Sequence, residues 1–176
     1  MEKLFKKLNL VKMFLTDVDG VLTDGKIIID NNGNEMKFFD VKDGHGIKML
    51  HRYGIKVGLI TGRESDVVIH RAKELGIEII FQKVRRKLEI VDKILSEYHL
   101  TYSEIAYCGD DIVDIPVLKR AGVAFTVNNA VDECKNIADY ITAKDGGCGA
   151  VREITDLILK AKGFWKEVKV RYEIED

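Results

Sequence analysis

Proline is almost absent from this chain of 176 residues, with Pro116 as the one example. No Pro-rich, Ser-rich or repeated stretch marks a linker, so we predict one domain over residues 1–176. Cysteine is scarce as well: Cys108, Cys134 and Cys148 form an odd set without close spacing. Such a set argues against a disulfide framework and against a four-thiolate zinc site, and it favours a reducing compartment.

The chain also lacks an excess of charge of one sign, and it lacks long apolar runs. The net charge is −1, from 28 Lys and Arg against 29 Asp and Glu, and no dense basic patch occurs. This balance argues against nucleic acid and anionic membranes as partners. No apolar run approaches the ~20 residues that span a bilayer. The first residues form an amphipathic stretch rather than a secretory signal, so we predict a cytoplasmic protein without a membrane partner.

What the sequence does contain is an alternation of apolar runs and segments of helical period. The runs are nearly continuous, as in strands that are covered on both faces. This pattern predicts an α/β fold with a doubly wound, Rossmann-like parallel sheet. Gly54, Gly76 and Gly122 stand where helices should end in a left-handed residue. The predicted strands are residues 12–18, 55–61, 77–81, 104–110 and 122–127, with 138–142 as a sixth.

Two segments depart from the alternation. Residues 26–39 contain two short β-type runs around the turn Asn31-Asn32-Gly33-Asn34, which predicts a β-hairpin projecting after the first strand. In the tail, residues 164–176, apolar and charged residues alternate from Val168 to Ile174. This alternation is typical of a strand, although a mobile terminus is the alternative.

Polar residues collect where the predicted strands end. In a parallel sheet these ends meet at one edge, which is where ligands bind. Each residue alone could be a helix cap or a turn residue. A cluster of carboxylates, however, needs a cation to offset its repulsion, and oxygen ligands favour Mg²⁺. The residues are Asp17, Asp19, Thr61, Gly62, Arg63, Lys87, Asp110, Asp111 and Asp114.

The motifs that carry these residues resemble those of a known superfamily. FLTDVDGVLTDG (14–25), ITGR (60–63), Lys87 and GDDIVDIPVL (109–118) are similar, in chain order, to the four motifs of the haloacid dehalogenase superfamily. Within it, DVDGVLTDG, DGHGIK (43–48) and GGCGAVRE (146–153) resemble the family of 3-deoxy-D-manno-octulosonate 8-phosphate phosphatases. The resemblance covers nearly the whole chain.

The resemblance implies roles for individual residues. Asp17 would be the nucleophile that forms an aspartyl phosphate, and Asp19 the general acid and base. Thr61 and Lys87 would donate to the phosphoryl oxygens. Mg²⁺ would be bound by Asp17, the backbone carbonyl of Asp19 and Asp110, with Asp111 and Asp114 orienting its water molecules. The candidates for substrate contact are Gly62, Arg63, Gly44, His45 and Lys48.

The spacing of the motifs leaves no room for a cap domain of the chain's own. An open site would have little means of excluding water, and the resemblance implies a homotetramer in which a neighbouring subunit closes each site. We therefore expect residues 26–39 to form the tetramer contact and the tail from Phe164 to approach a neighbour's site. One departure from the family is Cys148, at a position that often carries a basic residue; this bears on recognition of the substrate carboxylate.

Three other functions are alternatives to an octulosonate phosphatase. A receiver domain would carry its phosphate acceptor at the end of the third strand, which here reads Phe81-Gln82-Lys83 without an aspartate. A non-catalytic module of the same fold is disfavoured by the presence of every catalytic-type residue. A phosphatase for a nine-carbon, sialic-type sugar acid 9-phosphate remains the nearest alternative among enzymes, since no residue separates the two substrates.

Overall fold

A six-stranded parallel sheet forms the centre of the computed structural model, which describes residues 1–175. Numbered in chain order, the strands are β1 (Met13–Thr16), β2 (Ile28–Ile29), β3 (Glu35–Met36), β4 (Lys56–Ile60), β5 (Ile79–Phe81), β6 (Ile105–Cys108), β7 (Val123–Thr126) and β8 (Tyr140–Ile141). The helices are α1 (Glu2–Leu10), α2 (Val41–Arg52), α3 (Asp66–Leu75), α4 (Lys87–Tyr98), α5 (Ile115–Leu118), α6 (Asp132–Lys135), α7 (Ala150–Ala161) and α8 (Trp165–Arg171). Short 3₁₀ turns cover Tyr102–Glu104 and Ile112–Asp114.

The order of the strands decides where a ligand can bind. The main sheet runs β5-β4-β1-β6-β7-β8, so the chain first builds outward from β1 on one side and then crosses to β6 on the other. Neighbouring loops diverge at this switch point and leave a crevice beyond the carboxyl ends of β1 and β6. Every residue of β1, β6 and β7 is buried, as the continuous apolar runs require. All six predicted strands are confirmed.

The predicted hairpin is present as β2 and β3, which pair antiparallel with Ile28 opposite Met36. Between β1 and β4 the chain otherwise contributes only α2. The hairpin leaves several apolar side chains exposed, namely Ile27, Ile29, Met36 and Phe38.

Two local predictions were wrong. The tail forms a helix, α8, rather than a strand: Val168 is buried and Val170 is exposed, so the apolar residues here do not mark one face of a strand. Residue 176 of the predicted tail lies outside the described residues. Gly122 is not a left-handed helix end like Gly54 and Gly76. This position requires glycine because a Cβ atom there would lie 2.6 Å from the carbonyl oxygen of Ser103.

Among the described residues, no helix combines the length and the apolar character needed to cross a bilayer.

Candidate active site

The cleft at the switch point gathers most of the predicted site residues. Asp17 follows β1, Thr61 follows β4, Lys87 begins α4, and Asp110 follows β6. Asp17, Thr61 and Asp110 therefore lie in loops that directly follow buried strands, and Lys87 lies at the first residue of a helix. The cleft is lined by Asp17, Asp19, Gly25, Thr61, Gly62, Arg63, Val84, Arg85, Lys87, Asp110, Asp111 and Val113.

Lys87 joins two carboxylates in the buried floor of this cleft. Its Nζ atom lies 2.7 Å from Asp17 Oδ2 and 2.7 Å from Asp114 Oδ1. Burial alone would lower the pKa of Lys87, but the negative charges of Asp114 and Asp17 outweigh it and raise that pKa. Burial also raises the pKa of Asp17 to about 6, although the charge of Lys87 opposes this shift. Lys87 is therefore a fixed cation beside the predicted nucleophile.

Asp114 is the anchor of this arrangement. Its side chain is fully buried and accepts four hydrogen bonds: at Oδ1 from Lys87 and from the Tyr107 hydroxyl (2.5 Å), and at Oδ2 from the backbone N–H groups of Asp110 (3.1 Å) and Asp111 (3.3 Å). Both carboxylate oxygens are thus occupied by protein donors. These bonds hold Lys87 and the loop after β6 in place. The role of Asp114 in orienting metal-bound water stays a prediction.

Asp19 lies between β1 and the hairpin. One of its oxygens, Oδ1, makes a direct ion pair with Lys37, and the other, Oδ2, lies 3.5 Å from the hydroxyl of Thr61 and 4.0 Å from Arg63 Nε. Arg63 Nη2 in turn lies 2.8 Å from Glu35 Oε1. The hairpin therefore contributes two charged residues, Glu35 and Lys37, to the surroundings of the predicted general acid.

The carboxylates of the cleft fit a divalent cation. Asp17, Asp110 and Asp114 can each offer an oxygen such that all three atoms lie within 4.8 Å of one another. Within residues 1–175, Asp110 Oδ1 is buried and has no hydrogen-bond partner. Burial, followed by the charges of Asp17 and Asp114, raises the pKa of Asp110 to about 7. Lys87 is a single positive charge beside three carboxylates, and a hard cation with oxygen ligands would offset the remaining negative charge.

Backbone packing brings Asp110 against the loop that carries Asp19. Gly20 has a φ of +91°, and a Cβ atom there would lie 2.0 Å from Asp110 Oδ2. On the other side of the same loop, a Cβ on Gly146 would lie 1.7 Å from the carbonyl oxygen of Gly20. Two glycines are thus required for this close approach, and the GGCG segment supports the loop of Asp19.

Three of the predicted substrate contacts lie elsewhere. Gly44, His45 and Lys48 are on α2, and none of them is among the residues that line the cleft. Gly44 packs against the guanidinium of Arg71, and the ring of His45 meets the ring of Tyr172 edge-on with centroids 5.5 Å apart. Gly62 and Arg63, in contrast, do line the cleft. Cys148 is exposed and its thiol is free.

Sequence reasoning missed three residues that contact Asp19 or Asp114, or pair with Arg63 beside them, namely Glu35, Lys37 and Tyr107. The first two belong to the hairpin, whose sequence predicts a turn but not which way the ribbon folds over the sheet. Tyr107 could have been found from the sequence, because a tyrosine inside a continuous apolar strand needs a hydrogen-bond partner for its buried hydroxyl.

Comparison with known proteins shows the family of this chain. Residues 77–154 match a family model described as haloacid dehalogenase-like hydrolase. The 3-deoxy-D-manno-octulosonate 8-phosphate phosphatase of Haemophilus influenzae is 40% identical over 158 residues, which are 90% of this chain and 88% of that protein. The chain belongs to this phosphatase family. Its counterpart from Escherichia coli K12 is 40% identical over 159 residues, covering 90% of this chain and 85% of the relative.

Solved structures of family members have the same fold. The phosphatase from Moraxella catarrhalis, determined in complex with a magnesium ion, a phosphate ion and a KDO molecule, superposes with a TM-score of 0.96 at 40% identity, over 98% of this chain and 99% of that one. The cobalt-bound enzyme from Haemophilus influenzae superposes with a TM-score of 0.86 at 41% identity, over 89% and 92% of the two chains. The parallel sheet of this chain is therefore the sheet of the phosphatase family.

Proposed function

We propose that this protein is a Mg²⁺-dependent phosphatase that hydrolyses 3-deoxy-D-manno-octulosonate 8-phosphate to 3-deoxy-D-manno-octulosonate (KDO) and phosphate. The observation that carries the proposal is the pair Asp17 and Asp19 in one cleft, with Lys87 against the first and Thr61 near the second. A nucleophile, an acid and two phosphoryl donors are what phosphomonoester hydrolysis requires. The substrate is assigned by family membership.

The first half of the reaction transfers the phosphoryl group to the protein. An oxygen of Asp17 forms a bond to phosphorus while the bond from phosphorus to the sugar oxygen breaks. Asp19 gives its proton to that oxygen, so the sugar leaves as an alcohol. Lys87 and the Thr61 hydroxyl face the cleft as donors to the phosphoryl oxygens.

The second half regenerates the enzyme. Asp19, now ionised, takes a proton from a water molecule whose oxygen attacks phosphorus, and the bond from phosphorus to Asp17 breaks. One residue thus serves as acid and then as base. Mg²⁺, for which we propose Asp17, Asp110 and the backbone carbonyl of Asp19 as ligands, supplies positive charge that offsets the repulsion between the phosphate and the carboxylates. Asp111 lies at the rim of the cleft and is proposed to orient its water molecules.

We further propose that the chain acts as one domain and assembles as a homotetramer through the hairpin. The support is the exposure of Ile27, Ile29, Met36 and Phe38 on one short ribbon, because large apolar side chains exposed together on one element favour an interface. The expected test is sedimentation of a Phe38→Ser variant, which should dissociate. Ile69→Ser, an exposed apolar residue on α3, is the control and should leave the assembly intact. A monomeric wild type with full activity would contradict the proposal.

We propose that the protein acts in the cytoplasm, because its cysteines are free thiols. Cys108, Cys134 and Cys148 are all free thiols, two of them buried. Free thiols persist in a reducing compartment. A disulfide-linked species isolated from cells under thiol-blocking conditions would argue against this location.

The test of the proposed function is phosphate release from the eight-carbon 8-phosphate and from a nine-carbon sugar acid 9-phosphate, with Mg²⁺ and with EDTA. We expect Mg²⁺-dependent turnover of the eight-carbon ester that Asp17→Asn abolishes. Preference for the nine-carbon ester would keep the mechanism and change the substrate. If neither ester were hydrolysed in the presence of Mg²⁺, the proposal would be overturned in favour of a non-catalytic role.

A further inference from the structure

Lys37 is a buried lysine of the hairpin that no motif of the sequence points to. Its side chain is only 2% exposed. The ammonium group makes a direct ion pair with Asp19 Oδ1 and lies 3.2 Å from Glu35 Oε1. A buried ammonium is strongly unfavourable unless carboxylates compensate its charge, so this side chain is tied to Asp19 and Glu35.

The ion pair leaves the two oxygens of Asp19 in different surroundings. Oδ1 is held by Lys37 on the side of the hairpin, whereas Oδ2 is 3.5 Å from the Thr61 hydroxyl on the side of the cleft. Fixing one oxygen of a carboxyl group fixes the direction of the other, because the group is planar. The contact with Lys37 therefore leaves Asp19 Oδ2 as the oxygen on the side of the cleft.

We propose that Lys37 is the positioning residue for Asp19, and that through it the hairpin contributes to proton transfer within its own subunit. The inference rests on the proposed function, in which Asp19 is the general acid. Lys37 itself keeps its proton throughout: the proton that reaches the sugar oxygen comes from Asp19 Oδ2, and the proton that restores Asp19 comes from the attacking water. Proton transfer depends steeply on the placement of the acid.

A change of leaving group separates this role from a merely structural one. A sugar phosphate releases an alkoxide that must be protonated, whereas p-nitrophenyl phosphate releases a stable phenolate that needs no acid. The quantity to compare is kcat/KM, because it covers the steps up to release of the leaving group and is insensitive to later hydrolysis of the aspartyl phosphate. The variants are Lys37→Met, which removes the charge at similar length, and Asp19→Asn as the reference for complete loss of the acid.

We expect Lys37→Met to lower kcat/KM for the sugar ester by about 10²-fold, the lower range for loss of general acid catalysis, and that for p-nitrophenyl phosphate by less than about threefold. Lys37→Arg, which keeps the charge, should recover most of the loss on the sugar ester. The matched control is Lys12→Met, which removes a lysine whose Nζ lies 2.6 Å from Glu104 at the opposite end of β1 and should leave both values unchanged.

Equal losses on the two esters, or no loss on either, would overturn the inference. Should Lys37→Met fail to fold, the double variant Lys37→Met/Glu35→Gln carries the same comparison, since it also removes the charge of one of the two carboxylates that pair with Lys37. Failure of the proposed function gives a different result, because the wild type would then not hydrolyse the octulosonate ester. In that case the loss of kcat/KM in Lys37→Met would be compared between p-nitrophenyl phosphate and an alkyl phosphate that the wild type does hydrolyse.

Discussion

Replacing Asp114 by asparagine should destabilise the protein severely despite the nearly identical shape of the two side chains. Asp114 accepts two hydrogen bonds at each oxygen, from Lys87 and Tyr107 on one side and from the backbone of Asp110 and Asp111 on the other. Asparagine has one acceptor oxygen only, and its NH₂ group must face donors in either orientation. At least two buried donors therefore lose their partner.

The magnitude follows from these losses. A buried donor left without a partner costs about 1–3 kcal/mol, and at least two donors are affected, whereas Lys87 keeps its ion pair with Asp17. We expect Asp114→Asn to lower the free energy of unfolding by about 3–5 kcal/mol. Tyr107→Phe removes a single donor from the same carboxylate and should cost about 1 kcal/mol.

The assay is urea denaturation in EDTA at one fixed protein concentration, so that neither metal nor assembly varies between samples. With an m value of ~2–3 kcal/mol/M, the Asp114→Asn midpoint should fall by about 1–2.5 M. Asp132→Asn is the control: that side chain is 92% exposed, and its replacement should change stability by less than about 0.5 kcal/mol. A midpoint for Asp114→Asn within the control's range would refute the reasoning.

Further predictions concern the loop, the metal site and the phosphoryl donors. Gly146→Ala should destabilise the protein by about 1–3 kcal/mol, measured by urea denaturation, because its Cβ would overlap the carbonyl oxygen of Gly20; wild-type stability would contradict this close approach. The pKa values of Asp17 and Asp110 are raised in the fold to about 6 and about 7, so the folded state holds these protons more tightly than the unfolded state. In EDTA, stability should therefore fall as pH rises from 5 to about 7.5, and less so in Asp110→Asn; an identical fall in both proteins would exclude Asp110 as the source. Thr61→Val should lower kcat by about 10²-fold through loss of one phosphoryl donor, and an unchanged kcat would remove Thr61 from that role.

The sheet could be predicted because its signal is local. A continuous apolar run such as that of β6 indicates a strand that is buried on both faces. The glycine after α3 indicates a left-handed helix end, and Gly76 has a φ of +74°. The tail shows the limit of the same reasoning. Alternation of apolar residues from Val168 onward fits a strand of period two, but Val168 packs on the core as part of a single short helix.

The catalytic cleft could be predicted because the carboxyl ends of parallel strands meet at one edge. That rule places Asp17, Thr61, Lys87 and Asp110 together without any knowledge of side-chain contacts. It says nothing about a hairpin, whose direction depends on tertiary contacts. The ion pair between Lys37 and Asp19 joins residues 18 positions apart, and no periodicity or spacing encodes it.

The position of α2 could not be predicted from the sequence. Gly44, His45 and Lys48 follow the hairpin closely in sequence, yet the helix turns toward α7 and the tail. Arg152 N donates to Asp43 Oδ1 at 2.7 Å, which fixes the start of α2 against the start of α7. Substrate contact by these residues remains a prediction, and in a tetramer it would depend on which surface a neighbouring subunit meets.

The central claim is that Asp17 carries the phosphoryl group, and trapping that group tests it most directly. The enzyme would be mixed with 3-deoxy-D-manno-octulosonate 8-phosphate and Mg²⁺, treated at once with borohydride, which reduces an acyl phosphate to an alcohol, and digested for mass spectrometry. We predict that residue 17 is converted to homoserine, and that omission of substrate prevents the conversion. Reduction at a different carboxylate, or steady turnover with an unmodified residue 17 under conditions that trap a synthetic acyl phosphate, would contradict the account.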